Sequence, residues 1–157
     1  MPQAKSPPIM EAIGMVFLTW KRHAQKEIQP YGVTLKQFQV LRQLGEKGTL
    51  YPAEIADMLF CDRPTATVVI KNMEKKGWVK RELDPNDLRR FKVTLESAGQ
   101  AKLKLIPWDR PEYKKRRFKP TACFTSQEKV QFKKLLAKLN EHFEQLKGET
   151  NVSGINS

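Results

Sequence analysis

The sequence predicts a mainly α-helical fold that carries one small β-hairpin, and three observations support this. Apolar residues recur at the three- and four-residue spacing of amphipathic helices over most of the chain. Residues 78–95 instead alternate apolar with charged side chains on either side of the turn formers Asp84, Pro85 and Asn86. The length of 157 residues, 39% of them hydrophobic, suits one domain with a core of ordinary size.

Two helices are predicted in the first third of the chain. The first begins at Ile9 and continues for about five turns, until Pro30 and Gly32 end its apolar periodicity. The second begins at a capping box, because Thr34 is followed three residues later by Gln37. It is expected to end at one of the glycines that follow.

Two shorter helices joined by a tight turn come next. Pro52 suits the first turn of a third helix, whose apolar pattern fades at residues 60–62. Pro64 then opens a fourth helix, and Gly77 is expected to end it in a left-handed conformation. The hairpin, with strands at 78–83 and 91–95, follows directly.

The C-terminal part is predicted to hold two helices separated by a break. Helical spacing covers residues 96–106, and a second capping box at Thr125 and Glu128 starts a long amphipathic helix that ends at Gly148. Three prolines exclude one uninterrupted helix between them: Pro107, Pro111 and Pro120. We therefore expect a single domain over residues 9–148, with a flexible lead at 1–8 and a flexible tail at 149–157.

Composition limits the classes of function. A formal charge of +12 favours a polyanionic partner, either nucleic acid or an anionic surface. The longest apolar stretch, residues 9–20, is too short for a membrane span and lacks the pattern of a secretory signal, so we expect a cytoplasmic protein with no membrane partner. Two cysteines without metal spacing, two distant histidines and no glycine-rich phosphate loop predict no metal, no cofactor and no catalytic site.

The order of elements is that of a winged helix-turn-helix, in which the second helix of the pair enters the major groove of DNA. The turn of the hairpin would carry basic side chains towards the minor groove. The alternatives are a solvated polar helix face and a surface ion pair between Asp87 and Arg89. The predicted DNA-binding residues are Arg63, Pro64, Thr65, Thr67, Val68, Lys71 and Lys75 on the helix, with Asp87, Arg89, Arg90 and Lys92 on the wing.

The same region resembles the MarR family of transcriptional regulators. The similarity is carried by four motifs: Pro64–Thr67, Asn72–Val79, Asp84–Arg89 and Val93–Gly99. The resemblance implies a recognition helix over 63–76 and a wing arginine at Arg89 that Asp87 orients. It also implies a DNA-binding lobe at about 34–99 and a homodimer formed by helices at about 9–29 and 125–147.

A member of this family is expected to bind double-stranded DNA at a pseudo-palindromic operator, most often as a repressor, and to be released by a small aromatic ligand. The alternative is a winged-helix interaction or architectural module that binds protein or nucleic acid without sequence specificity. Symmetric dimerisation distinguishes the two, because a two-fold operator needs a two-fold protein.

Three further features allow two interpretations each. Trp20, His23 and Trp108 either line a ligand pocket or pack structurally. Cys61, in the turn before the fourth helix, is either a redox switch or a buried structural thiol. Residues 102–119 contain eight basic and two acidic side chains, and this segment either binds further phosphates or forms a solvated loop.

Overall fold

The computed structural model describes residues 7–116 and 118–153. The chain divides into two compact units, one ending at Phe118 and the other starting at Lys119. Three parts of the sequence predictions lie outside the described residues: positions 1–6 of the N-terminal lead, Arg117 of the basic segment, and positions 154–157 of the tail.

The first unit combines α-helices with a small antiparallel sheet, and the described part of the second unit is dominated by one long helix. In chain order the elements are α1 (Ile9–Ile28), α2 (Leu35–Lys47), β1 (Thr49–Leu50), α3 (Pro52–Met58), α4 (Arg63–Lys75), β2 (Val79–Asp84), β3 (Asp87–Leu95), α5 (Ser97–Leu105), α6 (Pro111–Arg116) and α7 (Ser126–Ser153). The predicted fold class, mainly α with a small β wing, is confirmed.

Both predicted capping boxes form. At the start of α2, the Gln37 N–H donates to Thr34 Oγ1 at 3.2 Å and the Thr34 N–H donates to Gln37 Oε1 at 3.1 Å. At the start of α7, the Thr125 N–H donates to Glu128 Oε2 at 2.8 Å and the Glu128 N–H donates to Thr125 Oγ1 at 3.3 Å. Each box satisfies backbone donors that the first helical turn leaves unpaired.

The sheet has the strand order β1-β3-β2. Its β2–β3 hairpin is the predicted one, with β2 shifted by one residue and β3 beginning at Asp87 where the prediction began at position 91. The strand β1 was not predicted: Thr49 and Leu50 pair with Thr94 and Val93 of β3. Two residues are too few to produce a recognisable alternation, so local sequence does not reveal this pairing.

The core of the first unit lies between the C-terminal end of α1, helices α2 to α4 and the inner face of the sheet. Helix α4 contributes Ala66, Ile70 and Met73, which are buried as its apolar periodicity predicts. Gly77 ends this region with φ +67°, the left-handed conformation expected of it. The first half of α1 buries little, although its apolar residues share the same predicted stripe.

The C-terminal part agrees with the sequence in one respect and departs from it in another. The predicted interruption is confirmed, because α5 ends at Leu105 and a separate short helix begins at Pro111. The predicted end of the last helix at Gly148 is wrong, because α7 continues to Ser153 and residues 149–153 are helical. A glycine in a helix interior is unfavourable by only about 1 kcal/mol and does not by itself end the helix.

Among the helices in the described part of the chain, none combines the length and apolar character that crossing a membrane requires.

Candidate nucleic-acid interface

The predicted DNA-binding residues of α4 lie on one side of the helix, opposite its buried face. Arg63, Val68, Lys71 and Lys75 are exposed, and so is Pro64 in the first turn, whereas Thr65 and Thr67 are half-buried. The helix is held by its apolar side against the core, so this polar side is presented to solvent as a unit. An exposed face of this size suits the major groove of B-form DNA.

The N-terminus of α4 is already capped by a carboxylate. Asp62 Oδ1 accepts a hydrogen bond from the Thr65 N–H at 2.7 Å, and the hydrogen bonds from Thr65 hold the pKa of Asp62 below its ordinary value. A helix N-terminus can receive a phosphate, but here a negative side chain occupies one of the backbone donors. The Thr67 hydroxyl is also engaged, since it donates to the Arg63 carbonyl at 2.9 Å.

The wing presents Arg89 at the start of β3, next to the turn. The resemblance implied that Asp87 orients this arginine, and the alternative was a surface ion pair between the two side chains. Asp87 Oδ1 accepts from the backbone N–H of Arg89 at 3.1 Å, and no ion pair joins the two side chains in the described structure. Asp87 therefore fixes the backbone at the tip of the wing, and the exposed guanidinium of Arg89 stays available.

The other two predicted wing residues have neighbours within the protein. The Arg90 guanidinium lies over the ring of Tyr51, with its carbon 4.0 Å from the ring centroid. Lys92 is half-buried and faces Glu82 across the hairpin. Both cations are thus partly directed towards their own protein, unlike Arg89.

Two interactions at the interface were missed by sequence reasoning. Arg81 on β2 forms a two-pronged ion pair with Glu74 near the end of α4, with Arg81 Nη2 2.8 Å from Glu74 Oε2. The Tyr51 hydroxyl donates to Asp84 Oδ2 at 2.5 Å, across 33 positions of sequence. No local pattern marks either pair, because the partners belong to different elements.

The cations of this surface fall into two groups. Lys80 and Arg81 are paired, and the hydrogen bond to Glu82 raises the pKa of Lys80. The second group has no carboxylate within ion-pair distance in the described part of the chain: Arg63, Lys71, Lys75, Arg89, Arg90 and Lys92. This second group lies on α4 and on β3, the two elements predicted to bind DNA.

The proposed ligand-pocket residues do not come together. Trp108 lines a cleft of about 550 Å³ together with Phe38 of α2 and Leu103 of α5. Trp20 contacts Phe17 of its own helix, with ring centroids 5.7 Å apart, and packs against the core. His23 stacks on Phe118 at 4.4 Å. Only Trp108 of the three therefore belongs to the cleft.

Cys61 lies in the helix-turn-helix turn, where its N–H donates to the Ala56 carbonyl at 3.1 Å. The residue is half-buried and packs against the core, as a structural thiol would. No group of three or more metal-ligating side chains occurs among the described residues.

Comparisons with known proteins identify this arrangement. The sequence profile of the MarR family matches residues 33–91. The chain is 31% identical to the multiple antibiotic resistance protein MarR of Escherichia coli (strain K12) over 94 residues, 60% of this chain and 65% of that protein. It is 23% identical to the HTH-type transcriptional regulator PecS of Dickeya dadantii (strain 3937) over 137 residues, 85% of this chain and 81% of that protein.

Solved structures of MarR proteins are similar to this chain as well. A mutant MarR from Escherichia coli complexed with operator DNA matches with a TM-score of 0.71 at 26% identity, covering 84% of this chain and 93% of that one. Wild-type MarR in its apo form matches with a TM-score of 0.64 at 26% identity, covering 86% of this chain and 98% of that one. The family consists of transcriptional regulators and not of enzymes. These matches confirm the resemblance of the chain to the MarR family of winged helix-turn-helix, DNA-binding transcriptional regulators.

Proposed function

We propose that the protein is a homodimeric, sequence-specific regulator that places α4 of each subunit in the major groove and the wing in the adjacent minor groove. The observation that carries this proposal is the set of unpaired cations on α4 and the wing. Base edges are read by Arg63, Thr65, Thr67 and Lys71, and Arg89 enters the minor groove. The lobe at 34–99 therefore carries recognition.

The proposed dimer uses the helices outside that lobe, at about 9–29 and 125–147. Helix α1 carries apolar side chains that its own protomer leaves largely exposed, such as Val16 at 68% and Phe17 at 52%. Helix α7 has comparable residues, including Leu135 at 57%. Apolar area of this extent is expected to be covered in a dimer, because burying it stabilises association by about 25 cal/mol per Å².

We further propose that the regulator is a repressor released by a small aromatic ligand. A protein bound across a promoter excludes the polymerase, so repression needs no additional interaction. The cleft beside Trp108 supports the ligand, because Phe38 and Trp108 supply aromatic walls and Arg42 supplies a cation. Such a ligand would contact both α2 and α5 and would thereby alter the position of the DNA-binding lobe.

Selection of the purified protein against random-sequence duplex DNA at near-physiological salt tests this function. We expect enrichment of an inverted repeat whose half-sites lie about one helical turn apart. Retention of DNA without an enriched motif would contradict specific recognition and favour the architectural alternative. The dimer is tested on the same sample by sedimentation equilibrium.

The wing assignment is tested with Arg89→Ala on the selected operator. Removal of a minor-groove guanidinium is expected to weaken binding by about tenfold or more. The matched control is Lys80→Ala, which removes a cation from the same hairpin that is already paired with Glu82. Binding of Arg89→Ala equal to that of the control would refute the assignment.

A further inference from the structure

Three side chains from distant parts of the sequence meet where the wing leaves the body of the protein. Tyr51 caps the N-terminus of α3, Asp84 ends β2, and Arg90 lies near the start of β3. The Tyr51 hydroxyl donates to Asp84, and the Arg90 guanidinium stacks on the Tyr51 ring. A single aromatic side chain thereby contacts both strands of the wing.

Two of the three members, Tyr51 and Asp84, are themselves held in place by further hydrogen bonds. The Tyr51 N–H donates to Glu54 Oε2 at 2.8 Å, which fixes the start of α3. Asp84 is only 5% exposed, and its second oxygen accepts from the Asn86 N–H at 2.9 Å. The carboxylate thus receives hydrogen bonds on both oxygens, as a buried charge requires. The hydrogen bond to Asp84 raises the pKa of Tyr51, and the same bond lowers the pKa of Asp84.

This cluster lies where it can support the part of the hairpin that the third strand does not reach. Strand β1 supports β3 only as far as the pair Leu50 and Val93, so the hairpin beyond that pair has no third strand. An isolated two-stranded hairpin is marginally stable in water. Tyr51 follows β1 directly, and its interactions with Asp84 and Arg90 extend the support towards the tip, where Arg89 lies.

Arg90 and Arg89 therefore have different tasks. The register of the hairpin shifts between Leu83 and Asp84, and Arg89 and Arg90 lie in the part of β3 that has no paired residue on β2 in the described structure. Arg90 is stacked on the protein, whereas Arg89 has no carboxylate partner in the described structure. Sequence patterning alone predicts DNA binding for both and does not separate them.

We propose that Tyr51, Asp84 and Arg90 form a latch that holds the wing against the first helix of the helix-turn-helix, and that Arg90 is a positioning residue that does not touch DNA. This inference rests on the proposed function, because it assumes that the wing presents Arg89 to DNA. The latch reduces the freedom that the wing would lose on binding, which improves affinity without an added interaction with DNA.

The latch is tested first without DNA, by hydrogen exchange of the wing amides at 84–92. Tyr51→Leu removes both the hydroxyl and the ring, and we expect exchange in this segment to accelerate about tenfold or more while the core is unchanged. Tyr31→Phe is the control, since it removes a tyrosine hydroxyl for which the described residues provide no hydrogen bond. Unchanged protection of the wing in Tyr51→Leu would overturn the latch, whatever the protein binds.

The second test separates positioning from direct DNA binding. On the selected operator, Arg90→Gln and Tyr51→Leu are each expected to weaken binding by about tenfold, and the double variant no more than either single one. The dependence of log K on log salt should keep its slope, because the same number of phosphates stays neutralised. A slope reduced by about 0.9 per site in Arg90→Gln, with effects that add in the double variant, would make Arg90 a phosphate ligand and overturn the proposal.

A spectroscopic readout completes the design. Asp84→Asn should move the pKa of Tyr51 down towards its ordinary value, which absorbance titration against Tyr51→Phe detects; an unmoved pKa would contradict the Tyr51–Asp84 hydrogen bond.

Arg89→Ala reports separately on the proposed function. If Arg89→Ala binds the operator like the parent while hydrogen exchange of the wing amides still depends on Tyr51, the assignment of the wing to DNA binding is refuted. The latch is then still supported.

Discussion

At the scale of single residues, Phe60 has the least favourable backbone conformation in the described part of the chain. It adopts φ +49° in the turn between α3 and α4, and its side chain is 94% exposed. For a residue with a Cβ, this left-handed conformation is unfavourable by about 1–2 kcal/mol. The exposed ring makes few packing contacts that could offset this cost. The turn geometry that α3 and α4 require is therefore imposed on an unsuitable residue.

Phe60→Gly is expected to raise the free energy of unfolding by about 1 kcal/mol, because glycine adopts this conformation without strain. The larger conformational entropy of glycine in the unfolded state opposes part of this gain. Urea unfolding followed by circular dichroism measures the change. Phe60→Ala is the control: it removes the ring but keeps the strain, so its stability should stay near that of the parent. A glycine variant no more stable than the alanine variant would contradict this explanation.

Asp62 links stability to pH at the start of the recognition helix. Its hydrogen bonds from Thr65 lower the folded-state pKa below the ordinary 3.8. A group whose folded-state pKa is lowered adds stability above its unfolded-state pKa, and this stability is lost as the pH falls through the folded-state value. Asparagine caps a helix about as well but does not titrate.

Asp62→Asn should therefore be less stable than the parent at pH 7, and this difference should decrease as the pH falls below the ordinary aspartate pKa and vanish below the folded-state pKa of Asp62. Unfolding free energies at pH 7 and at about pH 3 give the comparison. A difference between Asp62→Asn and the parent that does not change with pH would rule out the capping charge as its source.

At the scale of elements, α1 has two functions along its length. Its C-terminal half anchors the helix in the core through Ala24 and Ile28, and Gln25 bridges to the start of α2 by hydrogen bonds with Val33 and Leu35. Its N-terminal half leaves Val16 and Phe17 exposed. The apolar stripe is continuous in sequence, but the protomer buries only one end of it.

Val16→Glu is expected to dissociate the proposed dimer while leaving the protomer folded, because this side chain is already 68% exposed in one subunit. Sedimentation equilibrium reports the association state, and circular dichroism reports the fold. The control Arg22→Glu places a glutamate at an exposed position on the opposite side of the same helix and should remain dimeric. A Val16→Glu variant with unchanged association would exclude this face from the interface.

At the scale of the whole molecule, the large positive charge is not concentrated where DNA is proposed to bind. The segment 102–119 is strongly basic, but several of its cations have partners: Lys102 Nζ donates to the Tyr31 carbonyl at 3.2 Å, and Lys114 lies 3.6 Å from Asp109. The proposed recognition surface holds fewer cations, but these lie on the face of α4 and on the wing that are expected to contact DNA. The salt dependence of binding is therefore expected to follow that surface and not the total charge.

Neutralising Lys71 and Lys75 together to glutamine should lower the salt slope of operator binding by about 0.9 for each phosphate that the variant no longer neutralises. Neutralising Lys114 and Lys115 removes the same formal charge and should leave the slope unchanged. Fluorescence anisotropy titrations at several salt concentrations measure both. If the second pair lowers the slope as much as the first, the basic segment binds the additional phosphates that its composition allows.

Local sequence accounts for the helices, their caps and the order of elements, because these depend on residues within about four positions of one another. Thr34 with Gln37, the glycine at position 77 and the prolines after α5 each act locally. The exposed face of α4 followed from the same periodicity.

The availability of the basic residues on that face and on the wing depends on tertiary interactions. The Glu74–Arg81 pair, the two-residue strand β1 and the stacking of Arg90 on Tyr51 join elements that are distant along the chain. Such interactions have no period in the sequence, because they depend on how the chain brings separate elements together. Arg89 and Arg90 are neighbours in sequence and both are exposed, yet in the described structure the fold stacks only Arg90 on an aromatic ring, that of Tyr51.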